Sequence, residues 1–255
     1  MSKKYNYWFE VDNGQATLIK YTGEEYHVKL PSSVYGVPVT KLGEYEGLNL
    51  SGAAKRGIFE DSNVSEVSIP EGVTEICNDA FYSSGLCEVN IPSSVRVVGT
   101  RAFAFCKYLR SVEFETGIKT ISESMFSNCK NLRFIELPSS VEKIEGDAFA
   151  ECALQKIDLP ENINTIESYA FRECDSLTFV TIPPKVTSIN SGTFYSCDFL
   201  EKVNIHDEVK YIANDAFDRC DKLTICGIKG SYAEQYANEH NIPFEELDAT
   251  IEFLN

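Results

Sequence analysis

The sequence has little histidine, little positive charge and no long apolar run. Of 255 residues, 3 are histidines and 23 are Lys or Arg against 39 Asp or Glu, so the formal net charge is -16. No stretch approaches the ~20 consecutive apolar residues that span a bilayer, and membrane insertion is therefore not expected. A surface this acidic repels nucleic acid, and the densest basic spot is the pair Lys55 and Arg56. We therefore expect no nucleic acid as partner.

The short motifs of metal and cofactor sites are also missing. The chain contains no CxxC pair, which zinc sites commonly use, and neither GxGxxG nor GxxxxGK[ST], the glycine-rich loops that hold phosphates. We expect no cofactor and no metal. The N-terminus has lysines but no apolar segment of a signal peptide. We expect a cell-surface or secreted protein if an export signal has been removed, and a cytoplasmic one if this N-terminus is native.

A repeat of 22 or 23 residues organises most of the chain. Eight phenylalanines recur at spacings of 22, 22, 23, 23, 22, 23 and 23 residues, and they are Phe59, Phe81, Phe103, Phe126, Phe149, Phe171, Phe194 and Phe217. Within each unit a V-x-I pair alternates with period two, which is typical of a half-buried strand. One unit cannot bury its apolar side chains alone, whereas stacked units can. The sequence therefore predicts a solenoid over residues 59–228, with strands ~4.8 Å apart along its length.

The consensus unit AFxxCxxLxxVxIPxxVxxIxxxAF resembles the BspA-like (treponemal-type) leucine-rich repeat. The resemblance covers residues 59–228 in eight units and, more loosely, residues 28–42. It implies a leucine-rich-repeat solenoid of the α/β repeat type, strand-rich and wound as a curved right-handed coil. It also implies a microbial surface or secreted protein that adheres to host or matrix proteins.

Both ends of the array carry the signals of caps, so we expect one domain over residues 1–255 and a monomer. Residues 1–58 form an N-terminal cap with a degenerate first repeat, in which Asn13 and Gly14 between two alternating runs predict a β-hairpin. Residues 229–255 form a C-terminal cap, where Ser231 as N-cap and Glu234 three residues later predict a helix. Caps with polar outer faces close the ends of an open solenoid.

Cysteines occupy one column of the repeat, three residues after the phenylalanine. They are Cys106, Cys129, Cys152, Cys174, Cys197 and Cys220, and the first two units carry Ser62 and Ser84 there. A catalytic cysteine is a single residue that needs a base, and none of the three histidines shares a unit motif with a cysteine. We interpret the column as small buried side chains. Neighbouring rungs are close enough for disulfides, but serine in the same column indicates that pairing is not required.

Two regions are candidates for partner binding. Phe134 and Phe179 point outward from the strands, around a strip of acids from successive units. The acids are Glu113, Glu136 and Asp158. Aromatic and acidic side chains together suit a partner with basic or apolar groups, and an ordinary solvated face is the alternative. The second region is an insert of 12 residues around 45–57 that holds Lys55 and Arg56, for which a disordered or edge-covering loop is the alternative.

The sequence favours non-catalytic binding of a protein, or of a glycan, through the repeat surface, with host or matrix proteins as candidate partners. The first alternative is an intracellular scaffold or an effector-like interaction protein. The alternative from another class is a cysteine- or metal-dependent enzyme. No base, ligand cluster or phosphate loop accompanies the cysteines, which disfavours the enzyme.

Overall fold

The chain winds into a strand-rich solenoid, as the repeat predicts. The structure is a computed structural model that describes residues 6–43, 57–115 and 117–247. Its strands are β1 (Tyr7–Asp12), β2 (Gln15–Tyr21), β3 (His27–Lys29), β4 (Ser33–Val34), β5 (Val37–Leu42), β6 (Glu66–Ser68), β7 (Glu75–Ile76), β8 (Glu88–Ile91), β9 (Val97–Val98), β10 (Ser111–Phe114), β11 (Thr120–Ile121), β12 (Lys143–Ile144), β13 (Thr165–Ile166), β14 (Phe179–Thr181), β15 (Ser188–Ile189), β16 (Lys202–Ile205), β17 (Tyr211–Ile212), β18 (Thr224–Gly227) and β19 (Phe244–Glu246). The described residues contain one α-helix, α1 (Tyr232–Glu239).

Two ladders of short parallel strands form two walls of the solenoid. The first wall runs through β5, β7 and β9, then β11, β12 and β13, and then β15 and β17. The second wall runs through β3, β6, β8 and β10, and then through β14, β16, β18 and β19. Side chains of a strand alternate between its two sides, so in β8 Val89 and Ile91 are buried whereas Glu88 and Asn90 are exposed. We call the outer surface of the second wall the strand face.

The third side of the solenoid consists of turns. Backbone hydrogen bonds join the turn of each coil to the turn of the next coil. The N–H of Phe81 donates to the carbonyl oxygen of Ala102 in the next coil at 2.8 Å, and the N–H of Ser83 donates to that of Ala104 at 2.8 Å. Residues two positions before and after the phenylalanine adopt positive φ, as Asp79 at 57° and Ser83 at 55° show. Such left-handed residues bend the chain sharply, which a coil of this length requires.

The phenylalanine column forms the centre of the core. Rings of consecutive coils lie nearly parallel, with centroids 5.1 to 5.6 Å apart and interplanar angles of 2° to 15°. This offset stacking is favourable for aromatic rings. Tyr21 covers Phe59 at one end of the column at 5.3 Å, and Tyr236 of α1 covers Phe217 at the other end at 6.1 Å. Every ring is therefore covered on both sides only while the two ends are capped.

Both caps form in the described residues. Strands β1 and β2 pair as an antiparallel hairpin through Asn13 and Gly14, which have φ of 49° and 76°, and β2 then pairs with β5. At the other end, the Ser231 hydroxyl accepts a hydrogen bond from the N–H of Glu234 at 3.4 Å and caps α1. Residues 1–5 and 248–255 of the predicted caps lie outside the described residues. Within the described ranges, no helix is long and apolar enough to cross a membrane.

Candidate partner-binding surface on the strand face

The strand ladder is interrupted in the middle of the strand face. Between β10 and β14, residues 134–137 and 156–159 continue the wall without forming strands. Among the described residues no backbone hydrogen bond joins 111–114 to 134–137, and one isolated bridge, between Lys156 and Phe179, attaches the second segment to β14. On the first wall, β11, β12 and β13 pair without a gap in these coils. The interruption is therefore local to the strand face.

Three adjoining depressions follow one another along the strand face. The largest, which we call the central depression, lies at the interruption and has a volume of about 830 Å³. A depression of about 340 Å³ lies over β6 and β8, and Glu113 lines both. A third one, of about 570 Å³, reaches towards residues 206–208 and shares Asp158 with the central depression. The strand face therefore carries depressions over most of its length.

The structure brings most of the predicted partner-binding residues together. The central depression is lined by Glu113, Phe134, Glu136 and Asp158. The Phe134 side chain is 59% exposed. Phe179 lines the third depression and is half-buried, so it projects less than the sequence predicts. The predicted residues Lys55 and Arg56 lie outside the described residues, as does the insert up to residue 56.

The three predicted acids differ in their surroundings. The Lys156 ammonium nitrogen Nζ lies 2.9 Å from Oδ1 of Asp158, so this carboxylate already has a cationic partner. Glu113 and Glu136 have no ion-pair partner among the described residues, and neither does Glu161, which also lines the central depression. Sequence reasoning missed the pair of Lys156 and Asp158. Its signal is the spacing of two residues in an extended segment, which places both side chains on the same side.

The floor of the central depression is apolar. Ile135 and Leu137 belong to the inward columns of the repeat but are 8% and 6% exposed, and Leu159 is half-buried. Two coils further on, Val180 and Ile182 of the same columns are 0% and 1% exposed. An apolar floor with a protruding aromatic ring and a charged rim is typical of protein-recognition surfaces. Sequence periodicity did not reveal this floor, because it assigns every inward residue to the core.

The cysteine column lies inside the core, away from the strand face. The thiol of Cys152 donates to the carbonyl oxygen of Phe126 in the preceding coil at 3.0 Å, and the other five column cysteines make the equivalent bond at 3.0 to 3.2 Å. Burial raises the pKa of Cys106 to about 11 and that of Cys129 well above its ordinary value. A thiol with a raised pKa is a poor nucleophile. All nine cysteines are free thiols.

Metal-binding side chains do not cluster in the part of the chain that the structure describes. No group of three or more His, Cys, Asp or Glu residues is placed there to hold a metal ion. The six column thiols each donate to a backbone carbonyl instead of converging on a common centre. The geometry of the column is therefore that of a packing element that ties each coil to the one before it.

The stacked strands, the phenylalanine column and the repeated turns define a leucine-rich-repeat protein. More particularly, the family model described as BspA type Leucine rich repeat region matches residues 54–166 and 102–224, with six copies. These overlapping spans cover more than half of the chain, so the protein belongs to this family and the resemblance seen in the sequence is confirmed. No curated protein matches the chain.

Solved bacterial structures resemble this chain. A leucine-rich repeat protein from Bacteroides ovatus has a TM-score of 0.63 and 21% sequence identity, over 97% of this chain and 76% of that chain. A leucine rich cell surface protein from Faecalibacterium prausnitzii has a TM-score of 0.48 and 23% identity, over 98% of this chain and 95% of that one. At such identities the likeness concerns the fold alone, and the first structure supports it.

Proposed function

We propose that this protein is a non-catalytic binding module that recognises a protein partner through its strand face. Membership of a leucine-rich-repeat family supports a repeat-based binding module. The observation that supports the strand face is the central depression, which the exposed ring of Phe134 and the half-buried Leu159 line together. Such a combination provides the apolar contact area and the aromatic anchor that dominate binding energy at protein interfaces.

The dimensions of the surface favour a macromolecular ligand. The three adjoining depressions extend from β6 to residues 206–208, over seven successive coils. Specific protein–protein interfaces bury roughly 800 Å² on each partner, and a rigid wall of strands offers such an area without ordering mobile loops. The net charge of -16 disfavours nucleic acid as the ligand. A protein partner with basic and apolar groups complements this surface.

For the location we propose the cell surface or the extracellular medium, with host or matrix proteins as the class of partner. The BspA type family supports this proposal. The buried thiols are compatible with it, because free cysteines that are packed in a core are inert even outside a reducing compartment. The alternative is an intracellular scaffold, and nine free cysteines favour that location. Antibody labelling of intact and of permeabilised cells distinguishes the two.

Affinity capture with matched variants tests the binding proposal. The full chain, the double variant Phe134→Ala with Glu136→Gln, and the control Tyr211→Ala are immobilised and exposed to host-matrix and bacterial extracts. Tyr211 is a suitable control because it is 53% exposed and lies in β17 of the first wall. We expect a partner that the full chain and the control retain and the double variant loses. A partner retained equally by all three contradicts binding at the strand face.

A further inference from the structure

The central depression carries unbalanced negative charge. Four carboxylates line it, against one cationic side chain, Lys156, which is paired with Asp158. The carboxylates of Glu113, Glu136 and Glu161 have no cationic partner among the described residues. Like charges on a concave surface repel one another and attract a cationic group more strongly than they do on an open surface. The charge of the site therefore selects a cationic ligand.

The aromatic ring at the site has no cation of the described residues over it, in contrast to the rings of Tyr82, Tyr195 and Phe199. The guanidinium group of Arg101 lies 5.4 Å from the ring centroid of Tyr82, and Nζ of Lys222 lies 3.6 Å from that of Phe199. Phe134 is 59% exposed, and no cation of the described residues lies over its ring. Its ring face is therefore accessible to a cation of a ligand.

Backbone groups at the interruption are also without protein partners. Residues 134–137 make no backbone hydrogen bond within the described residues, whereas residues 111–114 pair along their whole length with β8. Backbone N–H and C=O groups need partners, and an extended segment of another chain can supply them. A segment of five extended residues spans about 17 Å, which is enough to lie alongside the whole of residues 134–137. The site therefore suits an extended peptide.

We infer that the central depression binds an extended, arginine-containing segment of a partner protein, with a guanidinium group stacked on Phe134 and paired with Glu113 and Glu136. Arginine fits better than lysine because its planar group stacks on an aromatic face and binds carboxylates at two points, whereas an ammonium group is a point charge. This inference rests on the proposed function, since it names the chemistry of the partner at the same site.

Peptide titration of the full chain tests the inference. The probes are fluorescein-labelled (Gly-Arg)4, (Gly-Lys)4 and (Gly-Ser)4 peptides, whose binding is followed by fluorescence anisotropy at low and at physiological salt. We expect the arginine peptide to bind about fivefold more tightly than the lysine peptide, which is the gain in affinity that a cation–π contact at an exposed site provides. The serine peptide is expected not to bind. Phe134→Ala should abolish the preference for arginine, and Glu136→Gln should weaken both cationic peptides.

Two control variants on other surfaces complete the test. Tyr211→Ala and Glu123→Gln change an aromatic and an acidic residue that are exposed away from the strand face, and both should bind as the unchanged chain does. Circular dichroism of each variant verifies that the fold is intact. Equal affinity for arginine and lysine peptides overturns the inference. Binding that survives both Phe134→Ala and Glu136→Gln also overturns it, because the peptide then responds only to the net charge of -16.

Failure of this inference is distinguishable from failure of the proposed function. A partner captured from extracts that is lost on Phe134→Ala, together with no binding of the arginine peptide, supports the strand face but overturns the arginine chemistry. Capture that is insensitive to the strand-face variants, together with the expected peptide results, overturns the proposed function and supports the peptide site.

Discussion

The thiol of Cys152 donates a hydrogen bond of 3.0 Å to the carbonyl oxygen of Phe126 in the preceding coil. The two residues belong to the two columns that repeat most regularly in the sequence, and both side chains are buried. The same carbonyl oxygen accepts a hydrogen bond from the N–H of Cys129 in its own turn at 3.1 Å, so the thiol adds a second hydrogen bond that joins the two coils. The recurrence of cysteine therefore follows from the recurrence of this carbonyl.

The first prediction concerns this hydrogen bond. We expect Cys152→Ala to lower the free energy of unfolding by about 1–3 kcal/mol, because it removes one of the two hydrogen bonds to the Phe126 carbonyl oxygen together with the buried contacts of the sulfur. Cys152→Ser keeps a donor at the same position and is expected to cost less. Urea unfolding followed by circular dichroism measures both. Equal destabilisation by alanine and serine would show that the hydrogen bond contributes nothing.

The second prediction concerns thiol reactivity in the native state. We expect Cys87, which is half-buried, to react with iodoacetamide first, and the column cysteines other than Cys220, whose pKa a hydrogen bond with Cys197 lowers, to react slowly. Burial raises the pKa of Cys106 to about 11, which leaves little of the reactive thiolate at mildly alkaline pH. Mass spectrometry over time identifies the labelled residue, and Cys87→Ser should remove the fast phase. Rapid labelling of Cys152 in the folded protein contradicts the prediction.

The third prediction concerns stability at alkaline pH. Burial, with the charge of Glu75 in addition, raises the pKa of Cys77 from 9.0 to about 12. Above about pH 9 the unfolded chain releases this proton while the folded chain retains it. The stabilisation is therefore complete below pH 9 and declines as the pH rises towards 12, by about 1.4 kcal/mol for each unit of the pKa difference.

Urea unfolding between about pH 8 and pH 11 measures this decline, since the window spans the start of thiol ionisation in the unfolded chain. The variant Cys77→Ala lacks one of the thiols whose pKa is raised, and it should therefore lose less stability over the same pH range. The buried phenol of Tyr236, whose pKa is also raised, acts in the same direction in both proteins and cancels in the comparison. Identical pH profiles of the two proteins would refute the prediction.

The fourth prediction concerns the C-terminal cap. Deletion of residues 229–255 removes Tyr236 from the ring of Phe217 and β19 from the edge of β18. The exposed ring and the free strand edge should cause self-association, which light scattering detects. The control Ser231→Ala weakens the helix cap by about 1 kcal/mol and should stay monomeric. A truncated chain that remains a monodisperse monomer of unchanged stability would mean that the cap is dispensable.

The fifth prediction distinguishes the roles of the two aromatic residues of the strand face and applies once a partner has been identified. Phe134→Ala should weaken binding by about 1–3 kcal/mol without changing stability, because the side chain is 59% exposed. Phe179→Ala should also lower stability, because that ring is half-buried. Calorimetric titration and urea unfolding measure the two effects. Binding that survives both changes and disappears when residues 45–57 are deleted would assign recognition to the insert.

The sequence by itself determined the coil and its caps. The spacing of the phenylalanine column that begins at Phe59 sets the period of the repeat. Each coil has nearly the same neighbours, so the residue pattern of one unit describes the interior of every coil. The hairpin at Asn13 and Gly14 and the helix after Ser231 depend on local backbone chemistry that a few residues encode. For these features the relevant interactions lie within one unit or repeat identically between units.

Only the tertiary structure decided what happens on the strand face. Whether residues 134–137 pair with β10 depends on how two particular coils lie against each other, and periodicity within a unit carries no information about that distance. The pairing of Lys156 with Asp158 and the partial burial of Phe179 likewise depend on side chains that meet across the surface. The physical reason is that the repeat specifies which side chains point inward, whereas the charge and shape of the outer surface follow from contacts between side chains that the repeat does not specify.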